Sequence, residues 1–146
     1  MRVTPPNTVL WLTGYVRALA AAEGRSVTVS NKEPATLTLP LTKPLIVIRD
    51  DSGPRLSHVT FDRSIGASVL AGSKLNDMPA DELALWLAGV LFDFDLPLGF
   101  DVPVPIAPTP IVAVIESGCN GPYPVTETLD VARRYMTAQY VVSGSW

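Results

Sequence analysis

The chain has little of what most enzyme chemistry needs. Its 146 residues include one cysteine, Cys119, and one histidine, His58. A single cysteine excludes an intrachain disulfide, which fits folding in a reducing cytoplasm. A lone histidine leaves no histidine-based metal set of the usual spacing. Charged residues make up 17% of the chain, low against about 25% in an ordinary soluble domain. Lysine and arginine total 11 against 14 aspartates and glutamates, for a formal net charge of -3. The basic excess of a nucleic-acid binder is therefore missing. Long apolar runs are missing too. Residues 9–22 are too short and too interrupted for a bilayer span, which needs about 20 residues. The opening Met1-Arg2-Val3-Thr4-Pro5-Pro6 puts prolines where a signal peptide needs an apolar run. The expectation is a soluble protein with no membrane segment.

What is present is apolar side chain, at 47% of the residues. A chain of this length reads as one domain. It can bury roughly 68–70% of its unfolded surface, so it needs no metal or disulfide to fold. So few charges on a soluble protein leave apolar area to be hidden somewhere, and subunit interfaces are one such place.

Pro5-Pro6-Asn7-Thr8 is a helix-start signal. Val9, Leu12, Val16 and Leu19 then recur at spacings of three and four, and Gly24 supplies a left-handed stop, which predicts a helix over about 8–23. Val27-Thr28-Val29 is a short strand. Residues 31–43 read as an extended loop and 45–49 as a buried strand. Asp50-Asp51-Ser52-Gly53-Pro54 is a turn cluster. Residues 59–69 alternate, with Val59, Phe61, Ile65, Ala67 and Val69 on one face, so a hairpin of two antiparallel strands is expected. A second helix is predicted over about 79–94. It carries an apolar stripe of Leu83, Trp86, Leu87, Val90, Leu91 and Phe94, and its Gly89 is read as allowing close packing.

Proline then recurs at 97, 103, 105, 108 and 110, so about 95–110 reads as an extended arm without helix. Strands at 111–115 and 134–142 follow, separated by a proline-held crossing at 119–124. The sum is one α+β domain. It has a mostly antiparallel or mixed sheet of about five strands, with two main helices packed on one face.

No catalytic or cofactor motif emerges. Cys119 and His58 would make a nucleophile and base only if the fold joined them; a packed thiol and a turn histidine is the simpler reading. Asp93 and Asp95 read as exposed charges at a helix end rather than cation ligands. Gly66–Lys74 fails the phosphate-loop pattern, because no Gly-Lys pair opens a helix there. Tyr123, Tyr135, Tyr140 and Trp146 lack the basic groove that a stacking platform for nucleic acid needs. The expectation is no enzyme, no cofactor and no metal.

The start at 9–22, the helix at 79–94 after a long strand, and the ending from Gly121-Pro122-Tyr123-Pro124 to Arg133-Arg134-Tyr135-Met136-Thr137-Ala138-Gln139-Tyr140-Val141-Val142 together resemble the tail terminator proteins of long-tailed bacteriophages. The resemblance covers essentially the whole chain and rests on element order and local texture. It implies a ring of copies, usually six. Such a ring caps the tail tube, ends its polymerisation and joins the tail to the neck of the head. It implies the major tail tube protein and a neck or connector protein as partners, with DNA passing through the channel without specific binding. It also implies assembly in the host cytoplasm and a final place at the tail–neck junction of the virion. The arm at 97–110 is longer than a minimal version needs. Other readings are another connector or stopper protein of the neck, or more remotely a small enzyme or ligand-binding domain. Interface candidates are Asp50, Asp51 and Arg55 at the expected hairpin tip, the proline arm, and Arg133 with Arg134 at the start of the last strand.

Overall fold

The computed structural model describes residues 1–99 and 106–146. Helix α1 spans Thr8–Ala22, strands β1, β2 and β3 span Thr28–Ser30, Leu45–Asp50 and Thr60–Ala71, and helix α2 spans Met78–Leu91. Strands β4, β5 and β6 follow at Ile111–Val114, Asn120–Val125 and Ala132–Ser143. The fold is α+β, with 2 helices and a mixed, mostly antiparallel sheet of 6 strands. The sheet order is β1-β2-β3-β6-β4, with β5 also paired to β6. Only β1 and β2 run parallel.

Local chemistry sets the helix ends. The Asn7 side chain accepts from the Leu10 N–H at 3.0 Å, filling one free donor of the first turn of α1. Gly24 at φ 73° turns the chain out, and the Arg25 N–H closes on the Ala20 carbonyl at 2.8 Å. Asp77 at the start of α2 makes no cap bond with its side chain. Its carboxylate is drawn instead to Arg134, at 2.8 Å.

One face of the sheet meets both helices. Ile46, Ile48, Ile65, Val69, Met136 and Tyr140 pack there against Leu12, Val16, Leu83, Leu87 and Leu91. The Tyr140 hydroxyl donates to the Leu91 carbonyl at 2.6 Å, so the buried phenol is satisfied, and burial raises its pKa well above the ordinary value. The opposite face holds a smaller apolar cluster of Leu45, Val47, Leu70 and Val131, covered by Leu37, Leu39 and Leu41 of the loop after β1.

Several expectations are corrected. The reversal between β2 and β3 is not at Asp50–Pro54. The Asp51 N–H donates to Ser64, the Ser64 N–H to Ser52, and the Asp62 N–H to Pro54, so pairing continues beyond β2. Gly53 permits this, because a Cβ there would meet the Asp62 carbonyl oxygen at 2.3 Å. The chain reverses further out, where the Leu56 and Ser57 N–H groups both reach the Thr60 carbonyl. Next, residues 120–125 are a strand rather than a bare crossing. Pro122 and Pro124 are tolerated because β5 is an outer strand, where a missing N–H leaves no ladder bond empty. Phe94 is 75% exposed and leaves the expected stripe, since α2 ends at Leu91. Finally, a Cβ on Gly89 would meet nothing within 4 Å, so this glycine serves no close packing among the described residues.

The proline arm is partly outside the described residues, which exclude 100–105 and with them Pro103 and Pro105. Leu96–Leu98 form a short 3-10 turn, contrary to an arm without helix. Pro97 occupies the start of that turn, where its missing N–H is not needed. Further on, the Ala107 carbonyl accepts the Trp11 indole N–H at 2.8 Å.

Candidate interaction surface

Surface chemistry gathers in three places: the half of the second sheet face that the Leu37–Leu41 loop does not cover, the two helices' outer side, and the end of the molecule near the β2–β3 reversal. On the sheet face, β3 places Gly66 beside β6, and the Tyr135 ring lies across it. A Cβ at Gly66 would meet the Tyr135 hydroxyl at 2.1 Å and an Asp51 carboxylate oxygen at 2.7 Å. Arg49 lies over the Tyr135 ring at 5.0 Å and donates to its hydroxyl at 2.7 Å. That hydroxyl donates to Asp51 at 3.2 Å, and Tyr123 meets the ring edge-on at 5.9 Å. Burial, then the Asp51 carboxylate, pushes the Tyr135 phenol up from its ordinary value, so it stays a neutral donor. Beside it the Gln139 amide donates to both Asp62 oxygens at 3.0 Å. This half-face is polar, preformed and partly exposed.

Of the interface candidates, Asp51 belongs to this cluster. Asp50 accepts from the Ser52 N–H at 2.6 Å and approaches Arg63 only at 3.9 Å. Arg55 sits by the true reversal, donating to the Ser57 carbonyl at 2.9 Å and to the His58 carbonyl, over the Phe61 ring. Arg133 and Arg134 go to opposite faces, as neighbours in a strand must. Arg133 grips Glu33 with two nitrogens, at 2.8 and 3.0 Å, and Glu127 with a third at 2.9 Å. Arg134 is buried toward α2, against Asp77 at 2.8 Å and Asp81 at 3.8 Å. Both guanidiniums are thus engaged within the chain.

The structure does not bring Cys119 and His58 together. Cys119 is half-buried against the main core, with its thiol on the Ile115 carbonyl at 3.5 Å. The strand that follows it starts opposite Thr137, whereas the strand after His58 starts opposite Ser143. Those points on β6 are about 20 Å apart at about 3.3 Å per residue. Asp93 accepts from the Asp95 N–H at 2.9 Å, bracing the turn after α2. Among the described residues, no group of three or more His, Cys, Asp or Glu side chains is placed to hold a metal ion, and no helix is long and apolar enough to cross a membrane.

The sheet edges are guarded. Thr28 turns its N–H to Pro44, so Val29 turns its polar groups outward, and the outward carbonyl accepts Arg17 of α1 at 2.6 Å. The other side of the sheet ends in β5 with its two prolines and in the short β4, which carries an irregular register. These are the ordinary protections against adding a strand from another chain. Sequence reasoning missed the Arg17 bond, the Tyr135–Gly66 pair and the leucine-lined loop. The last had a signal, since Leu37, Leu39 and Leu41 alternate with polar residues and proline.

No protein-family model matches the chain, and no curated protein matches it.

Proposed function

We propose that this protein is a structural subunit of a virion, a tail terminator. Its copies form a ring, six by resemblance, that caps the tail tube, stops its growth and joins the tail to the neck. The work is steric and adhesive, and no bond is made or broken. The observation that carries the reading is the distribution of apolar surface. Leu10, Leu56, Leu85, Phe94 and Trp146 stand more than half exposed on a chain of 17% charged residues. Where such side chains gather into patches, they mark contacts with other protein. A channel of mildly acidic subunits also suits passing DNA, because a basic lumen would hold its phosphates. The separation of Cys119 from His58 gives a nucleophile–base pair no support.

Mass measurement in solution with negative-stain imaging, with and without purified tail tubes, tests this. The expected result is a ring, formed freely above a threshold concentration or on tube ends. A strict monomer that ignores tube ends overturns it. Binding to the neck but never to tubes favours the connector reading instead. Reversing charge at Asp50 and Asp51 should weaken joining while the circular dichroism of the subunit is kept.

A further inference from the structure

Resting on that ring reading, we propose that its head-to-tail contact seats a basic knob bearing Trp146, from one copy, in an acidic groove between α1 and α2 of the next. The groove has a volume of about 640 Å³ and is lined by Leu19, Glu23, Trp86, Gly89, Val90 and Asp93, among others. Its floor is apolar and its rim is negative. Glu23 accepts the Trp86 indole N–H at 3.2 Å. Arg25 stacks on Trp86 at 4.9 Å but spends two nitrogens on Glu82, at 3.1 and 2.7 Å. The Arg25 guanidinium thus faces Glu82 and Glu23, while the groove lining carries Glu23 and Asp93 and no cation, so the balance is acidic. Leu85, in the wall, is 58% exposed, and Phe94 beside Asp93 is 75% exposed. Gly89 opens the wall where a Cβ would meet nothing within 4 Å. Glycine weakens a helix relative to alanine, and no contact among the described residues calls for one here. A bulky side chain seated by the neighbouring copy would.

The complementary patch lies at the other end of α1. Trp146 is the exposed side chain there, and it shares with Arg2, Pro5, Arg55 and His58 a surface recess whose lining contains no aspartate or glutamate, so the part offered to a neighbour is the Trp146 ring with the two guanidiniums beside it. Neither Arg2 nor Arg55 forms an ion pair among the described residues. Trp146 is 75% exposed, and Leu56 at the same reversal is 53% exposed. The knob precedes the first residue of α1 and the groove lies along its second half, from Tyr15 to Glu23. The far end of the groove is 15 helical residues away, about 22 Å at 1.5 Å per residue. Two distant patches of opposite charge and shared apolar character make a heterologous contact, which closes into a ring when the rotation allows. Strand addition is the usual rival for such a contact. It is disfavoured because Arg17 occupies the β1 edge and prolines line β5.

The test uses full-length protein, in solution and on tail tubes, read by mass photometry and negative stain. A knob variant carries Arg2→Glu and Arg55→Glu. One groove variant carries Glu23→Lys and Asp93→Lys, and a second carries Gly89→Leu, which leaves charge alone and improves helix propensity. Each alone should keep its circular dichroism and weaken ring formation at least tenfold. The knob variant mixed in equal amounts with the Gly89→Leu variant should stop at one-to-one dimers, because only one intact contact remains per pair, whereas mixed with the charge-reversed groove variant it should rebuild rings of alternating copies. Combining the knob reversal with the charge-reversed groove in one chain should restore rings. If wild type forms rings and these variants do so equally well, this contact is wrong and the ring reading stands. If the variants form free rings but lose only tube ends, the groove takes the tube protein and the proposal is overturned. If wild type forms no ring under either condition, the ring reading fails, and this contact with it.

Discussion

The two faces of the sheet share the same two long strands, yet they are built on different principles. Alternate residues of β3 and β6 supply both. On the helix side Ile65, Ala67 and Val69 meet Met136, Ala138 and Tyr140, all at most 1% exposed. Shape and area hold that side together. On the other side the same strands offer Tyr135, Gln139, Asp62 and Arg133, which find partners by hydrogen bond and charge. Among the described residues, the apolar cover there is Val131 and a loop contributing Leu37, Leu39 and Leu41. Among the described residues, no backbone group between 33 and 43 bonds another backbone group. The contrast teaches that stability resides on one face, which leaves the other free to be specific.

The largest effect should come from cutting the first face. Leu87 is fully buried between α2 and the sheet. Leu87→Ala should cost about 2–5 kcal/mol in urea unfolding. Leu39→Ala, in the half-buried cover of the second face, should cost about 1 kcal/mol, from the smaller area it hides. Equal losses would break the comparison. Tyr140→Phe ranks between them. It strands the Leu91 carbonyl, which accepts the hydroxyl at 2.6 Å, at a cost of about 1–3 kcal/mol for an unsatisfied buried acceptor.

The second face should respond to charge more than the first, whose ion pairs are confined to Arg134 with Asp77 and Asp81 among the described residues. Arg133→Gln releases Glu33 and Glu127 together. Global stability should fall by no more than about 1 kcal/mol, since partly exposed pairs contribute little. Proteolytic cleavage within 31–44 should rise far more, because the loop loses its polar clasp. pH gives a second reading. The Arg133 hydrogen bond, then the Leu129 N–H, holds the Glu127 carboxyl below its ordinary value of 4.5. A depressed carboxylate contributes its full stability above the unfolded pKa and loses it as pH falls through the folded one. Wild type should therefore lose this increment below about pH 4.5, and Arg133→Gln should show a smaller acid step. An unchanged step would remove the clasp from the account.

How much of this was legible in the sequence follows the same division. The helix-side face was readable because its signals are periodic. Val9, Leu12, Val16 and Leu19 repeat at helical spacing, and Phe61, Ile65, Ala67 and Val69 at strand spacing. The α+β class followed from those. The second face was not readable, because its contacts join residues far apart in the chain, such as Arg133 with Glu33 and Tyr135 with Arg49. No spacing rule links such pairs. Proline also misled twice. It reads as a breaker, yet an outer strand and the opening residues of a turn both tolerate it, as at Pro124 and Pro97. The hairpin tip was misplaced for a related reason. Asp-Ser-Gly-Pro is turn chemistry, but here Ser52 at φ 70° and Gly53 kink a strand that stays paired.

The smallest expected effect is the sharpest discriminator. Gly14 in α1 and Gly89 in α2 look equivalent within one subunit, since neither added Cβ would meet an atom within 4 Å. Each change to alanine should therefore stabilise the isolated chain by about 0.5–1 kcal/mol, as helix propensity requires. In Tm that is about 1–4 °C for a domain of this size. The two glycines differ in what lies above them. Gly89 opens the acidic groove, whereas Gly14 faces a separate hollow of about 310 Å³ beside Trp11 and Ala107. If a neighbouring copy fills the groove at Gly89, the two alanines part company in assembly while agreeing in Tm. Gly14→Ala should leave ring formation unchanged, and Gly89→Ala should weaken it a few-fold. Equal behaviour in both assays would return Gly89 to an ordinary exposed helix position, with no partner above it.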